Sequence, residues 1–175
     1  MGIAGSGKGT QGKLLAETTD YKVISTGELL RAYGSEDQHR RMHTGELISD
    51  EEVTELLDRA LAELDDPNKT ILDGYPRSVA QSKWLLGQAA GGRFNIQYVL
   101  HLNASREAVK QRMKDRARTD DHDEAIEARF NEYEKATVPI LDYYRTHGID
   151  VVEVNGEQPI ETVHQEILAI DKDRG

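Results

Sequence analysis

The first residues of the chain combine glycines with a lysine at a spacing that suits phosphate. Gly2 through Lys8 reads "GIAGSGK", a G-x-x-x-x-G-K pattern. In such a loop the backbone N–H groups surround phosphate oxygens, and the lysine ammonium reaches across them. Because the loop opens a predicted helix, the helix dipole also favours an anion there. The spacing predicts a phosphate-binding loop over residues 2–8.

A second pattern overlaps the first. Gly7, Gly9 and Gly12 spell G-x-G-x-x-G, the fingerprint of dinucleotide-binding folds. That site needs an acidic residue at the end of the next strand to hold a ribose, and there the chain reads "VISTG". It also leaves Lys8 without a role. We therefore favour the phosphate loop over the dinucleotide site and over a chance match.

Several arginines form another candidate group, because they fall beside the predicted sheet edge or on flanking helices. Arginine stays charged, and its planar guanidinium donates two parallel hydrogen bonds to phosphate oxygens. Phosphoryl transfer needs mainly positive charge and alignment, so such residues suit it. The candidates are Arg31, Arg77, Arg112, Arg116, Arg118 and Arg129. The alternative is solvated surface ion pairs, which we expect for Arg40, Arg41, Arg59, Arg93 and Arg145.

Short β-branched runs alternate with longer stretches of helical period. Alternation of this kind predicts an α/β fold with parallel strands and crossover helices. Ligands then lie beyond the carboxyl ends of the strands, where the unusual residues fall. The predicted strands are 22–25, 70–74, 96–102 and 150–155. The predicted helices are 8–19, 49–64, 78–89, 105–117, 123–147 and 159–172.

Three local signals refine these helices. Ser49 and Glu52 have capping-box spacing, and Ser105 precedes another helix. Pro139 should kink or divide the long helix. His39 and His43 are spaced i, i+4, but on so polar a segment we expect solvated helix residues and not metal ligands.

Composition narrows the class of protein. The 175 residues suffice for one well-buried core, and 37% are hydrophobic, as in globular proteins. The net charge of -10 argues against nucleic acid or an anionic membrane as partner. No apolar run approaches the roughly 20 residues of a membrane span. The absence of cysteine excludes disulfides and cysteine-bound zinc, and it fits the cytoplasm.

Motifs along the whole chain resemble those of adenylate kinases. They are "GIAGSGKGTQ" (2–11), "ISTGELLR" (24–31), "ILDGYPRSVAQ" (71–81), "RMKDRARTDD" (112–121) and "ARFNEYEKATVPILDYY" (128–144). The resemblance implies a P-loop NTPase-type α/β fold, a parallel sheet flanked by helices, in one kinase domain over 1–175. Within it we expect a small AMP-binding flap over 26–55 and a short lid loop over 113–123.

The resemblance also implies roles. Asp73 would orient the water ligands of Mg²⁺. The implied ATP-binding residues are Gly5, Ser6, Gly7, Lys8, Gly9, Thr10, Arg112 and Gln158. The implied AMP-binding residues are Thr26, Arg31, Ile48, Gly74, Arg77, Gln81, Arg118 and Arg129. The implied catalytic residues are Lys8, Arg77, Arg116, Arg118 and Arg129. The implied reaction is Mg-ATP plus AMP giving two ADP, without zinc, by a monomer.

Other functions stay open at this point. Thr26 with Gln81 resembles the adenine-selective branch, whereas uridylate/cytidylate kinases tend to carry alanine and asparagine there. A nucleotide-binding module without catalysis would lack Lys8, Arg77 or the pair of Arg118 and Arg129. A switch-type nucleotide hydrolase would need a water-positioning residue and a base-reading loop.

The sequence starts close to its phosphate loop. In this fold a central strand precedes that loop, and losing it would leave neighbouring edges unpaired. We therefore expect about six further apolar residues upstream of Met1, the usual length of a strand.

Overall fold

A computed structural model describes residues 1–44, 48–116 and 123–174, with the side chains of 42–44, 116 and 123–125 excepted. Its strands are β1 (Lys22–Ser25), β2 (Thr70–Asp73), β3 (Val99–Asn103) and β4 (Val151–Asn155). Its helices are α1 (Lys8–Thr18), α2 (Thr26–Tyr33), α3 (Glu36–Thr44), α4 (Asp50–Ala62), α5 (Val79–Ala90), α6 (Arg106–Arg116), α7 (Asp123–Glu132), α8 (Val138–Thr146) and α9 (Ile160–Arg174). A π-helical turn (Tyr133–Thr137) lies between α7 and α8.

The strands pair in parallel, as the alternation of strands and helices predicts. β1 pairs with β2, so that Ser25 and Asp73 are partners at the carboxyl ends. β3 pairs with β4, ending at Asn103 and Asn155. The α/β class with flanking helices is confirmed, but the described residues form two two-stranded ladders and not one continuous sheet.

The first residues of the chain lie along β3. The amino group of Met1 donates to the carbonyl oxygen of Leu100, and the Leu102 N–H donates to the Met1 carbonyl oxygen at 2.9 Å. This is the bonding of a parallel neighbour. Gly2 follows with φ 135°, and a Cβ there would lie 2.4 Å from the Leu102 carbonyl oxygen. Only glycine therefore permits this approach of the loop to β3.

Buried apolar side chains fix the helices around the ladders. Leu57 of α4 and Leu85 of α5 pack with Ile24 of β1. The segment before α1 is held from another side, where Ile3 packs with residues of α6 and α7: Val109, Met113, Ile126 and Phe130. The third cluster joins α1, β3, β4 and α9 through Leu15, Leu102, Val154, Val163 and Ile167. The phosphate-loop segment is thus packed against α6 and α7.

Most predicted helix ends are confirmed. Ser49 and Glu52 form the full capping box of α4, and Ser105 Oγ accepts from the Ala108 N–H at 3.3 Å. The long predicted helix is interrupted by the π-helical turn, and Pro139 lies directly after it in the first turn of α8.

Some boundaries were wrong. The strand predicted from 96 begins at Val99, since its ladder starts with the Val99 N–H bonded to the Asp150 carbonyl oxygen. The short helix α2 was not predicted, because eight residues carry little helical periodicity. His39 does lie on a helix, where its Nε2 atom is 2.9 Å from the carbonyl oxygen of Leu30. The side chain of His43 lies outside the described residues.

The arginines expected on the surface mostly form ion pairs. Arg40 pairs with Asp37, Arg41 with Glu52, Arg93 with Asp58, and Arg145 with Asp142 and Glu153. Within the described ranges, no helix is long and apolar enough to cross a membrane.

Candidate active site

The glycine loop turns sharply into the N-terminus of α1. Gly5 and Gly7 have φ values of 88° and 105°, conformations that side-chain-bearing residues rarely adopt. A Cβ at Gly5 would lie 3.3 Å from both Val109 and Met113, so α6 packs tightly against the loop. The first free N–H groups of α1 are therefore presented at this loop, as the sequence predicted.

Lys8 folds over the loop. Its ammonium donates to the carbonyl oxygens of Gly2, at 2.6 Å, and Ile3, at 2.9 Å. The pKa of Lys8 is lowered to about 8, mainly by burial; Asp73 opposes the shift, and the nearby Arg77 contributes to it. A cation so poorly compensated by protein groups is suited to an anionic ligand.

Ser6 and Asp73 add a hydroxyl and a carboxylate to the phosphate-loop side of the site. Ser6 Oγ is buried, with no hydrogen-bond partner among the described residues. Asp73 ends β2 beside α1, where a Cβ added at Gly9 would lie 4.0 Å from its Oδ2 atom. Thr10 is exposed in the first turn of α1. An oxygen-bearing set of this kind matches the ligand preference of Mg²⁺, which usually keeps several of its waters.

The carbonyl oxygen of Gly74 organises a second group of residues. It accepts a hydrogen bond from Thr26 Oγ1 at 3.1 Å and another from Arg77 Nε at 2.8 Å. Gly74 has φ 81°, and a Cβ there would meet Thr26 Oγ1 at 2.8 Å and Arg77 Nη2 at 3.2 Å. The bond from Thr26 uses its hydroxyl hydrogen, so its oxygen remains available only as an acceptor.

Gln81, in the first turn of α5, is 3% exposed. Its Oε1 atom accepts from the Arg77 N–H at 2.7 Å, and its Nε2 atom donates to Asp50 Oδ1 at 3.0 Å. Each end of the amide can make one bond more. Asp50 was not among the residues singled out from the sequence, although it directly follows the capping serine of α4.

One cavity borders both groups, although Ser6, Thr26 and Gln81 do not line it within the described chain. Lys8, Asp73, Gly74, Arg77 and Arg129 line the same space of about 520 Å³, which continues between β2 and β3. These residues come from the loop, from the end of β2 and from α7, and the fold brings them to one sheet edge. Four of them are cations or a carboxylate, so the mouth of this cavity can bind charged phosphates.

Other predicted residues lie apart from this cavity. Arg31 is exposed, with its guanidinium near Gly27, and Ile48 is half-buried before α4. Arg112 is half-buried on α6. The side chain of Gln158 donates to Glu166 at 3.0 Å. None of these four is a lining residue of the cavity within the described chain.

Part of the predicted site lies outside the described residues. Arg118 and most of the predicted lid loop fall in 117–122, and the side chain of Arg116 is also outside them. Residues 45–47 of the predicted AMP-binding flap are outside as well.

A glycine loop with a half-buried lysine, which lines one cavity with two arginines at the end of a parallel ladder, defines a P-loop phosphotransferase. A family model described as "Adenylate kinase" matches residues 1–149. The chain belongs to the adenylate kinase family, and it is a nucleoside monophosphate kinase.

Relatives of similar length agree with the family match. An adenylate kinase of Bifidobacterium longum is 39% identical over 97% of this chain and 96% of its own length. One from Phenylobacterium zucineum is 38% identical over 93% of this chain and 90% of its own. One from Mycobacterium tuberculosis is 40% identical over 83% of each chain.

Proposed function

We propose that the chain transfers the terminal phosphoryl group of Mg-ATP to AMP, reversibly, through the cavity lined by Lys8, Asp73, Arg77 and Arg129. The observation that carries this proposal is that these four residues share one space although they come from separate parts of the sequence. Spreading positive charge around the transferring group is what the reaction needs, and a separate nucleophile from the protein is not required.

ATP would occupy the loop side. The N-terminus of α1 and the Ser6 hydroxyl can donate hydrogen bonds to phosphate oxygens. The Ser6 hydroxyl has no other hydrogen-bond partner among the described residues. Lys8 would exchange its two carbonyl partners for the β- and γ-phosphates. Arg112 and the backbone near Gln158 are proposed for the adenine of ATP, from the resemblance alone.

AMP would occupy the side organised by Gly74. The bond from Arg77 Nε to the Gly74 carbonyl oxygen fixes the guanidinium while leaving its Nη groups for phosphate. Thr26 offers an acceptor and Gln81 offers one donor and one acceptor, which suits the 6-amino edge of adenine. Arg31 and Ile48 are proposed as the outer wall of this site, within a flap over 26–55.

The transferring group would lie between Lys8, Arg77 and Arg129. Their charges hold donor and acceptor in line and neutralise the transition state. Arg116 and Arg118 are proposed to join them from the short lid loop over 113–123. Mg²⁺, when bound, neutralises charge on the ATP phosphates, and Asp73 would hold its waters, with Thr10 nearby.

The direct test is acceptor selectivity. The protein is incubated with Mg-ATP and AMP, UMP, CMP or GMP in turn, and diphosphate formation is followed. AMP should be the best acceptor by a wide margin, because an unmatched base leaves buried polar groups unpaired. A preference for UMP or CMP would contradict the assignment of Thr26 and Gln81. Binding without turnover would support a nucleotide-binding module instead.

A second test asks whether both nucleotide sites exist at once. A dinucleoside pentaphosphate, with two adenosines joined through five phosphates, should bind more tightly than ATP or AMP alone, because one ligand then fills both sites. Calorimetry that finds one nucleotide at saturation and no tight binding of the double ligand would contradict the proposal. We also propose a cytoplasmic monomer, which light scattering of the purified enzyme would check for oligomeric state.

A further inference from the structure

The amide of Gln81 is held in one orientation by two different groups. A backbone N–H is only a donor, so the Gln81 atom that faces Arg77 N at 2.7 Å has to be the oxygen. A carboxylate is an acceptor, so the atom that faces Asp50 Oδ1 at 3.0 Å has to be the NH₂ group. Both constraints select the same one of the two possible amide orientations.

The carboxylate of Asp50 is itself fixed. Its second oxygen accepts a hydrogen bond from the Ser78 hydroxyl. That hydroxyl also accepts from the Gln81 backbone N–H at 3.1 Å, capping α5. Asp50 is the first residue of α4, whose start is set by the capping box of Ser49. The carboxylate thus joins the first turn of α4 to the start of α5, and it cannot move without breaking its bonds to Ser78 and Gln81.

We propose that Asp50 is a positioning residue that fixes the Gln81 amide and thereby selects 6-aminopurine over 6-oxopurine monophosphates. The proposal rests on the proposed function, in which Gln81 binds the acceptor base. A 6-aminopurine presents a donor at its 6-position and an acceptor at N1, whereas a 6-oxopurine presents the reverse pair. In a fixed base position, the oriented amide matches the first edge and opposes the second.

The contribution of Asp50 is separable from that of Gln81. Without the carboxylate, one hydrogen bond from the Arg77 N–H opposes rotation of the amide about its last bond, where two bonds opposed it before. Rotation lowers the affinity for AMP and lowers the penalty on IMP, so the two affinities should approach each other. The chain offers a matched control in Glu51, the next residue of the same helix turn, which is exposed. Both acidic residues favour the N-terminus of α4, but only Asp50 contacts Gln81 among the described residues.

The experiment compares Asp50→Ala, Glu51→Ala, Gln81→Ala and the double variant Asp50→Ala/Gln81→Ala. Dissociation constants for AMP and IMP are measured by calorimetry, so the result does not depend on turnover, and KM for Mg-ATP is measured separately. Asp50→Ala should reduce the preference for AMP over IMP roughly tenfold, the value of about one charge-assisted hydrogen bond. Its KM for Mg-ATP should equal that of the parent enzyme. Glu51→Ala should leave the preference unchanged.

The double variant shows whether Asp50 acts through Gln81. In the Gln81→Ala background, adding Asp50→Ala should not change the AMP-to-IMP preference further. If Gln81→Ala lowers the preference while Asp50→Ala does not, the positioning role is overturned and the acceptor site stands. If the preference for AMP over IMP survives Gln81→Ala, the positioning role of Asp50 and the proposed acceptor site are both overturned, because the base is then bound elsewhere. An equal loss in Glu51→Ala would show a general effect of charge at α4 and would also overturn the role.

Discussion

The ammonium of Lys8 lies 2.6 Å from the carbonyl oxygen of Gly2, in the loop that it would share with phosphate. Burial lowers the pKa of Lys8 to about 8 in the free protein. Because the ordinary value is 10.5, the charge on Lys8 costs the folded state stability; this cost is complete below about pH 8 and disappears as the pH rises towards 10.5. The free enzyme therefore holds a cation that phosphates would stabilise.

We expect ATP binding to take up a proton above about pH 8. Phosphates raise the pKa of Lys8 in the complex, so affinity is constant below about pH 8 and falls above it, by at most about tenfold per pH unit. Calorimetry in two buffers of different ionisation enthalpy measures the uptake. Lys8→Arg is the control, since arginine stays charged and removes the uptake. Constant affinity up to about pH 10 in the parent protein would contradict the role of Lys8.

The substitution Gly74→Ala tests the proposed AMP-binding side of the site. The positive φ alone should cost about 1 kcal/mol of stability, and the new Cβ would also push on Thr26 and Arg77. We expect KM for AMP to rise at least about tenfold, with KM for ATP little changed. Gly92→Ala is a matched control, because φ is 77° there and no atom lies within 4 Å of the added Cβ. Equal KM values for AMP in the two variants would show that Gly74 does not shape the site.

The cavity arginines should differ from surface arginines in their effect on rate. Arg77→Ala and Arg129→Ala should each lower kcat/KM by about 10²–10⁴, because each removes positive charge from the transferring group. Arg40→Ala serves as the control, since Arg40 is 72% exposed and pairs with Asp37 on the same helix. Steady-state kinetics measures all three. Wild-type rates in either cavity variant would exclude that arginine from the reaction.

From the space between β2 and β3 we predict the effect of extending the chain at Met1. The Met1 amino group is buried against β3, and burial lowers its pKa to about 5. A strand of about six apolar residues joined to Met1 could replace this amino group by a peptide N–H and pair with both edges. Burying two side chains should add about 3 kcal/mol and raise Tm by about 6–12 °C. Thermal unfolding checks this against a glycine- and serine-rich extension of equal length, and equal Tm values would contradict it.

Local signals in the sequence predicted much of the fold. The capping box of Ser49 and Glu52 and the break before Pro139 depend on residues a few positions apart, so both could be inferred directly. The parallel pairing followed from the alternation of strands and helices. The start of β3 could not be inferred in this way, because it depends on where β4 provides a partner, about fifty residues further along the chain.

Within the candidate site, the sequence by itself determined which side chains can bind phosphate. The glycine spacing before Lys8 and the chemistry of the arginines are local properties, and the family was implied by the resemblance of motifs along the whole chain. Only the tertiary structure decided that Lys8, Asp73, Arg77 and Arg129 share one cavity, and that Asp50 holds the amide of Gln81. Contacts between residues 31 positions apart arise from the packing of α4 beside α5, and no local pattern encodes that packing.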